Sequence, residues 1–280
     1  MSASQDGGGP RRRTSRRAAL ERVAGPQLAE RIAEQRRAWM RSYNRRVSSL
    51  GRRTDGQLSN LRDRHRGERC VIIGNGPSLN QTPLEALAGE RTFGLNRAYL
   101  LYPRLGFVPT YHVVVNRLVV EQCAEELLAV PSPLFTTWPN RDLLGRRDDC
   151  VLLQNRLEPT FSRDIRAGIW EGATVTYVAM QIAFFLGFSE VLLVGVDHSF
   201  TTSGPAHVEV TSSGADPNHF DPNYFGKGFR WQLPDLQTSE LAYRLAREAF
   251  ESDRRRIIDC TVDDKLDVFP KADLLDVIRA

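Results

Sequence analysis

Short apolar runs alternate with helix-period patterns along most of the chain, starting at Arg69. Cys70 to Gly74 is apolar and ends in glycine. Thr92 to Leu95, Tyr111 to Val115, Leu134 to Trp138, Val151 to Leu153, Val191 to Val194 and Arg256 to Cys260 repeat the pattern. Runs this short and this uniformly apolar predict strands buried on both faces. Between them, Leu118 to Leu128, Thr174 to Leu186, Thr238 to Asp253 and Ala272 to Ile278 carry helical spacing. In the second of these, Val175, Val178, Ala179, Ile182, Phe185 and Leu186 fall on core positions. Strands alternating with helices predict an α/β fold, a mostly parallel Rossmann-like sheet with helices on both faces.

The first 66 residues have a different texture. Residues 1 to about 17 are rich in Gly, Ser and Arg and read as disordered. Leu28, Ile32, Trp39, Tyr43, Val47 and Leu50 then line one face of a predicted helix. The chain therefore reads as a basic extension over 1–66, disordered and then helical, followed by an α/β nucleotide-binding domain over 67–280. The stretch from about 199 to 236, rich in Gly, Pro, Ser and Asn and without period, is expected to be a lid.

Charge sharpens this division. Residues 1–66 hold 17 arginines, no lysine and six acids, a net of +11 against +4 for the whole chain, so the remainder is −7. The basic helix suits packing on the domain, pairing with another chain in a homo-oligomer, or peripheral contact with the inner face of an anionic membrane. No nucleic-acid partner is expected, because no recognised nucleic-acid-binding motif follows the arginines. No run of about 18 apolar residues is present to span a bilayer. Cys70, Cys123, Cys150 and Cys260 have no CxxC spacing and read as reduced thiols, which suits the cytoplasm.

Ligands of open α/β sheets bind at the carboxyl ends of the strands. The residues following the apolar runs are Gly74-Asn75-Gly76, Asn96, Asn116 and Gly195-Val196-Asp197. Gly74 and Gly76 are expected to let the backbone turn tightly and approach a ligand, and Ser78 or nearby N–H groups to hold a phosphate at the next helix start. Leu79 stands where a dinucleotide fingerprint needs glycine, and no Gly-Lys-Ser/Thr follows. A purely structural turn is the alternative. Asn96 and Asn116 suit a base, ribose or sugar hydroxyl, or cap the following helices. Gly172 and Thr174 open the most apolar helix, whose N-terminus would face a phosphate. Of the histidines, His65 is expected to be exposed and His112 structural. His198 follows Asp197, while His207 and His219 lie in the lid, where His219 is placed to act as general base. No metal-binding motif is present, and neither HExxH nor Asp-x-Asp occurs.

Gly74 to Leu79, Asn96, Asn116, Glu171 to Thr174, Leu186-Gly187-Phe188, Val194 to Asp197 and His219 stand in an order that resembles the DUF115 superfamily. That group includes motility-accessory-type glycosyltransferases and hydroxymethylpterin diphosphokinase-like proteins. The order is also similar to that of Campylobacter-type sialyltransferases. The resemblance spans about residues 69 to 278. It implies that the Gly74 turn with Asn75, Gly76, Ser78, Asn96 and Asn116 holds a nucleotide-linked donor, CMP-linked in the sialyltransferases. It implies that Gly172, Ala173 and Thr174 form the helix start touching that donor, and that His219 deprotonates the acceptor. It further implies metal-independent transfer with no cofactor required. The sequence departs from the sialyltransferases in lacking their lid tyrosines: His198, Ser199 and Phe200 follow Asp197, and Tyr224 is the nearby phenol.

The leading expectation is thus a glycosyltransferase moving a sugar from a nucleotide donor to a glycan or glycoconjugate acceptor. His219 would be the base, with Asp197 ordering the site or positioning the acceptor. The alternatives are an ATP-dependent diphosphokinase of a hydroxymethylpterin-like alcohol and a non-catalytic nucleotide-sugar-binding protein.

Overall fold

The computed structural model describes residues 48–201, 204–263 and 265–279. The expected disordered segment, and the helical face of Leu28, Ile32, Trp39, Tyr43 and Val47, lie outside the described residues. The chain divides into two compact units, Met1–Arg52 and Arg53–Ala280. The second unit carries the sheet and the cleft at its strand ends.

Seven strands form one sheet: β1 (Arg69–Ile73), β2 (Arg91–Leu95), β3 (Tyr111–Val113), β4 (Leu134–Thr137), β5 (Cys150–Leu153), β6 (Glu190–Val194) and β9 (Arg256–Asp259). Their order is β5-β4-β3-β2-β1-β6-β9, and every neighbouring pair is parallel. The chain runs outward from β1 to β5, then crosses back to place β6 on the other side of β1. The switch point of this Rossmann-like sheet therefore lies between the carboxyl ends of β1 and β6.

Both faces are covered. Cys70, Ile72, Phe93, Leu95, Tyr111 and Val113 pack with the helices Val175–Leu186 and Leu236–Ser252 in one core. The alternate residues Val71, Ile73, Leu192 and Val194 are also fully buried, which explains why these strands read as unbroken apolar runs. In chain order the α-helices are α1 (Ser49–Leu61), α2 (Tyr102–Leu105), α3 (Arg117–Gln122), α4 (Ala124–Ala129), α5 (Arg141–Leu144), α6 (Val175–Leu186), α7 (Leu236–Ser252) and α8 (Leu274–Arg279). All but one residue of α6 are buried, at roughly 1.5–3 kcal/mol for each large apolar side chain. Gly187, at φ 94°, ends it in the left-handed conformation that glycine tolerates best.

Three local departures have physical causes. The pattern from Leu118 to Leu128 is two helices, because Cys123 at φ −130°, ψ 27° breaks the turn between them. The break leaves Gln122 facing the lid, where its amide pairs with both backbone groups of Arg230. The helix read as starting at Thr238 begins at Leu236, since Asp235 caps it by accepting from the Thr238 N–H at 2.9 Å. The lid stretch is not wholly irregular: β7 (Glu209–Thr211) and β8 (Arg230–Gln232) form an antiparallel pair. Three residues per strand are too few for alternation to show.

Two histidines are built into the core. Contrary to the expectation of exposure, His65 is buried, stacked on Phe188 at 4.6 Å, and its Nε2 lies 2.8 Å from the Tyr111 hydroxyl. His112 is fully buried on β3. Its Nε2–H donates to the Asn96 carbonyl at 2.8 Å, so its Nδ1 accepts from the Tyr102 hydroxyl at 2.9 Å. All four cysteines are free and buried. Among the described residues, no helix is long and apolar enough to cross a membrane.

Burial pushes His112 down to about 4 and lowers His65 as well, against an ordinary value of 6.5. Both bind protons more readily when unfolded, so folding favours their neutral forms. Their contribution is complete above pH 6.5 and is lost as pH drops below it, for His112 down to about 4, where the loss reaches about 3 kcal/mol. Urea unfolding at pH 7 and pH 4.5 is expected to show this loss, with a shallower pH dependence in His112→Gln.

Candidate functional site

A cleft of about 610 Å³ opens at the carboxyl ends of β1, β2, β3 and β6. This is a volume typical of small-molecule sites. Its wall includes Gly74, Asn75, Gly76, Asn96, Asn116, Gly172, Ala173, Thr174, Asp197 and His219. Residues expected to share a site, and up to 145 positions apart in sequence, thus meet in one cleft. Ser78 is the expected site residue absent from the wall.

The β1 and β6 loops are pressed together. A Cβ on Gly74 would lie 2.1 Å from the Gly195 carbonyl oxygen, and one on Gly76 would lie 1.7 Å from Asp197 Oδ2. Glycine is needed there for the approach of a neighbouring loop, whereas the sequence suggested the approach of a ligand. Asp197 fastens the two loops: its carboxylate accepts the Ser78 N–H at 3.0 Å and the Ser78 hydroxyl at 2.7 Å. Ser78 is buried and gives both donors to Asp197. The segment that follows is a single 3₁₀ turn, Pro77–Asn80, rather than a full helix. Helix starts that do reach the cleft are those of α3, α6 and α7.

The asparagines divide in their roles. The Oδ1 atoms of Asn75 and Asn96 are buried and accept no hydrogen bond from any described residue. Buried polar atoms are rarely left so. Asn96 sits at φ 50°, a left-handed conformation that Asn tolerates, with its carbonyl held by His112. Asn116 caps α3: its Oδ1 accepts from the N–H groups of Leu118 and Val119 at 2.9 and 3.3 Å.

Gly172 and Ala173 both adopt left-handed backbone, at φ 57° and 58°. This double reversal brings the chain into α6, which Thr174 caps through the Thr176 N–H. The Thr174 hydroxyl also meets the Tyr243 hydroxyl at 3.3 Å. Glu171 lines the same wall, bonded to the Asn155 amide. Desolvation pushes its carboxyl up to about 6, partly offset by that hydrogen bond.

The lid supplies the remaining groups. Its Phe220 N–H donates to the Asn75 carbonyl at 2.9 Å, and the Asn80 amide to the Phe220 carbonyl at 3.1 Å, so the lid is tied to the glycine turn. His219 Nδ1 lies 2.7 Å from Asp216 Oδ2. Its ring stacks on Tyr224 with centroids 4.0 Å apart. Asp216 is buried, which by itself raises its pKa. The bonds from His219 and from the Asn218 and Phe225 N–H groups outweigh this and hold the carboxyl below its ordinary value. An ionised Asp216 makes Nδ1 the donor, and Nε2 carries no hydrogen bond to any described residue. The Tyr224 hydroxyl is buried and accepts the Arg97 N–H at 3.3 Å. Among the described residues, no three His, Cys, Asp or Glu side chains gather to hold a metal ion.

Asp216 and Glu171 had no assigned chemistry in the sequence. For Asp216 the available signal was an acid three residues before a lid histidine. For Glu171 there was none, because its environment is created by tertiary burial. Gly76→Ala is expected to cost about 3 kcal/mol by forcing Asp197 off Ser78. Gly56→Ala, on the open side of α1, is expected to gain about 0.5–1 kcal/mol. Urea unfolding of the two variants checks the contrast.

No protein-family model and no curated protein matches the chain. Among solved structures it is similar to the MAf glycosyltransferase from Magnetospirillum magneticum AMB-1, at 16% identity and a TM-score of 0.47. The likeness covers 81% of this chain and 39% of the other, so the chain spans about two-fifths of that protein's length.

Proposed function

We propose that the chain is a glycosyltransferase that moves a sugar from a nucleotide-activated donor to a hydroxyl of a glycan or glycoconjugate. The observation that carries this reading is His219, set in the wall of a cleft at the sheet's switch point, with the buried Asp216 carboxylate behind it at its Nδ1. A buried, ionised Asp216 fixes the tautomer of His219, so Nε2 presents a lone pair to the cleft and can accept an acceptor proton.

The opposite requirements of a donor are also present. The unpartnered Oδ1 atoms of Asn75 and Asn96 suit the N–H or hydroxyl donors of a base, ribose or sugar. The start of α6, entered through Gly172, Ala173 and Thr174, offers a positive dipole end to phosphate. In this reading Asp197 acts at one remove: it locks Ser78 and thereby sets the position of Asn75 and Gly76. The acceptor hydroxyl loses its proton to His219 as its oxygen attacks the anomeric carbon.

Thermal-shift measurements with CMP, UDP, GDP, ADP and ATP, with and without magnesium, are expected to show stabilisation by one nucleotide class. No shift with any of them overturns the reading. With the matching nucleotide-sugar, His219→Ala and Asp216→Asn are each expected to lower transfer 10²- to 10⁴-fold while leaving nucleotide affinity within about threefold. Full turnover in His219→Ala removes the assignment of the base.

A further inference from the structure

A nucleotide donor brings phosphate into the cleft, and the wall carries little positive charge to meet it. Among the described residues of the wall, the carboxylates are Glu171, Asp197 and Asp235, and lysine is absent. Arg117 is the one arginine among them, and it is turned to Glu121 at 2.7 Å and to the Pro139 carbonyl at 3.0 Å. His207 is largely exposed and paired with Asp235 at 3.2 Å. His219 has the role of base. That leaves His198.

His198 stands directly after Asp197, at the switch point itself. Its side chain is only 7% exposed, yet it lines the cleft. Nε2 lies 3.3 Å from the Glu240 carboxylate on α7, while Nδ1 makes no hydrogen bond with any described residue. Its backbone is left-handed, at φ 50°, a conformation uncommon for a histidine and one that clusters at functional sites. The ring meets Tyr243 edge-on at 6.0 Å, and the Tyr243 hydroxyl reaches Thr174 at the start of α6. Ring and helix start are thus braced by one tyrosine.

Resting on the glycosyltransferase reading, we propose that His198 is the phosphate-binding cation of the donor site. As the imidazolium it gives Nε2–H to Glu240 and Nδ1–H to a phosphate oxygen of the nucleotide. During transfer the acceptor proton goes to Nε2 of His219 and the acceptor oxygen bonds to the anomeric carbon. The bond from that carbon to the phosphate oxygen breaks, and its electron pair stays on the phosphate. The charge left there is met by His198 and the start of α6. A hydrogen bond between charged groups of this kind discriminates a nucleotide from its nucleoside.

The test uses the nucleotide from the CMP, UDP, GDP and ADP panel that shifts the wild-type chain most, together with its nucleoside. Calorimetric titration of His198→Asn, which suits the left-handed backbone, is expected to show a 10- to 100-fold weaker nucleotide and a nucleoside within threefold of wild type. His198→Gln is run beside it, and a melting midpoint near wild type qualifies either variant. If both ligands weaken together, or neither changes, the proposal falls while the glycosyltransferase reading stands. If no nucleotide binds wild type, both fall.

Discussion

The Asp197 carboxylate gripping Ser78 is the contact on which the cleft depends. It joins the loops after β1 and β6, the two strands that flank the switch point. Charge-assisted hydrogen bonds of this kind contribute about 1.5–3 kcal/mol each when buried. They operate here because Gly74 and Gly76 present no Cβ to Gly195 and Asp197. The result is a floor in which Asn75 is held with its Oδ1 unpartnered and its carbonyl free to receive the Phe220 N–H. The lid is therefore anchored to the same turn that Asp197 locks, and His219, one residue before Phe220, inherits its place from that anchor.

Around this floor, positions are fixed by polar groups acting on one another at a distance from any ligand. His112, buried and neutral, holds the Asn96 carbonyl and hence its left-handed backbone. Asp216 orients His219, Glu240 holds His198, and Thr174 joins the start of α6 to Tyr243. Each supporting group sits on a different element from the next. Small shifts in one element are thereby resisted by several others, which is how a site made of loops attains defined geometry.

Much of the fold was legible because burial on both faces leaves a plain mark on a strand. The runs beginning at Cys70, Thr92, Leu134, Val151, Val191 and Arg256 all became strands within a residue or two. The clustering of Asn75, Asn96, Asn116 and Asp197 could be anticipated from the rule that strand ends converge. What stayed hidden were interactions without local periodicity. The break at Cys123 leaves Gln122 to bind the lid, the β7–β8 pair is too short to alternate visibly, and His65 owes its burial to Phe188 and Tyr111.

The sequence by itself determined the parallel α/β architecture, its strand-end polar residues and the core face of α6, since these depend on local spacing and composition. Tertiary structure alone decided how those residues are used. Ser78 and Asn116 look from the sequence much like Asn75 and Asn96, yet they spend their polar atoms within the protein: Ser78 on Asp197, Asn116 on the α3 backbone. Asn75 and Asn96 do not, and His219 gains its orientation from the Asp216 carboxylate, which is buried within the folded lid. Hydrogen-bond capacity is a property of the residue type, but whether it remains available depends on which partners the folded chain brings within 3 Å or so.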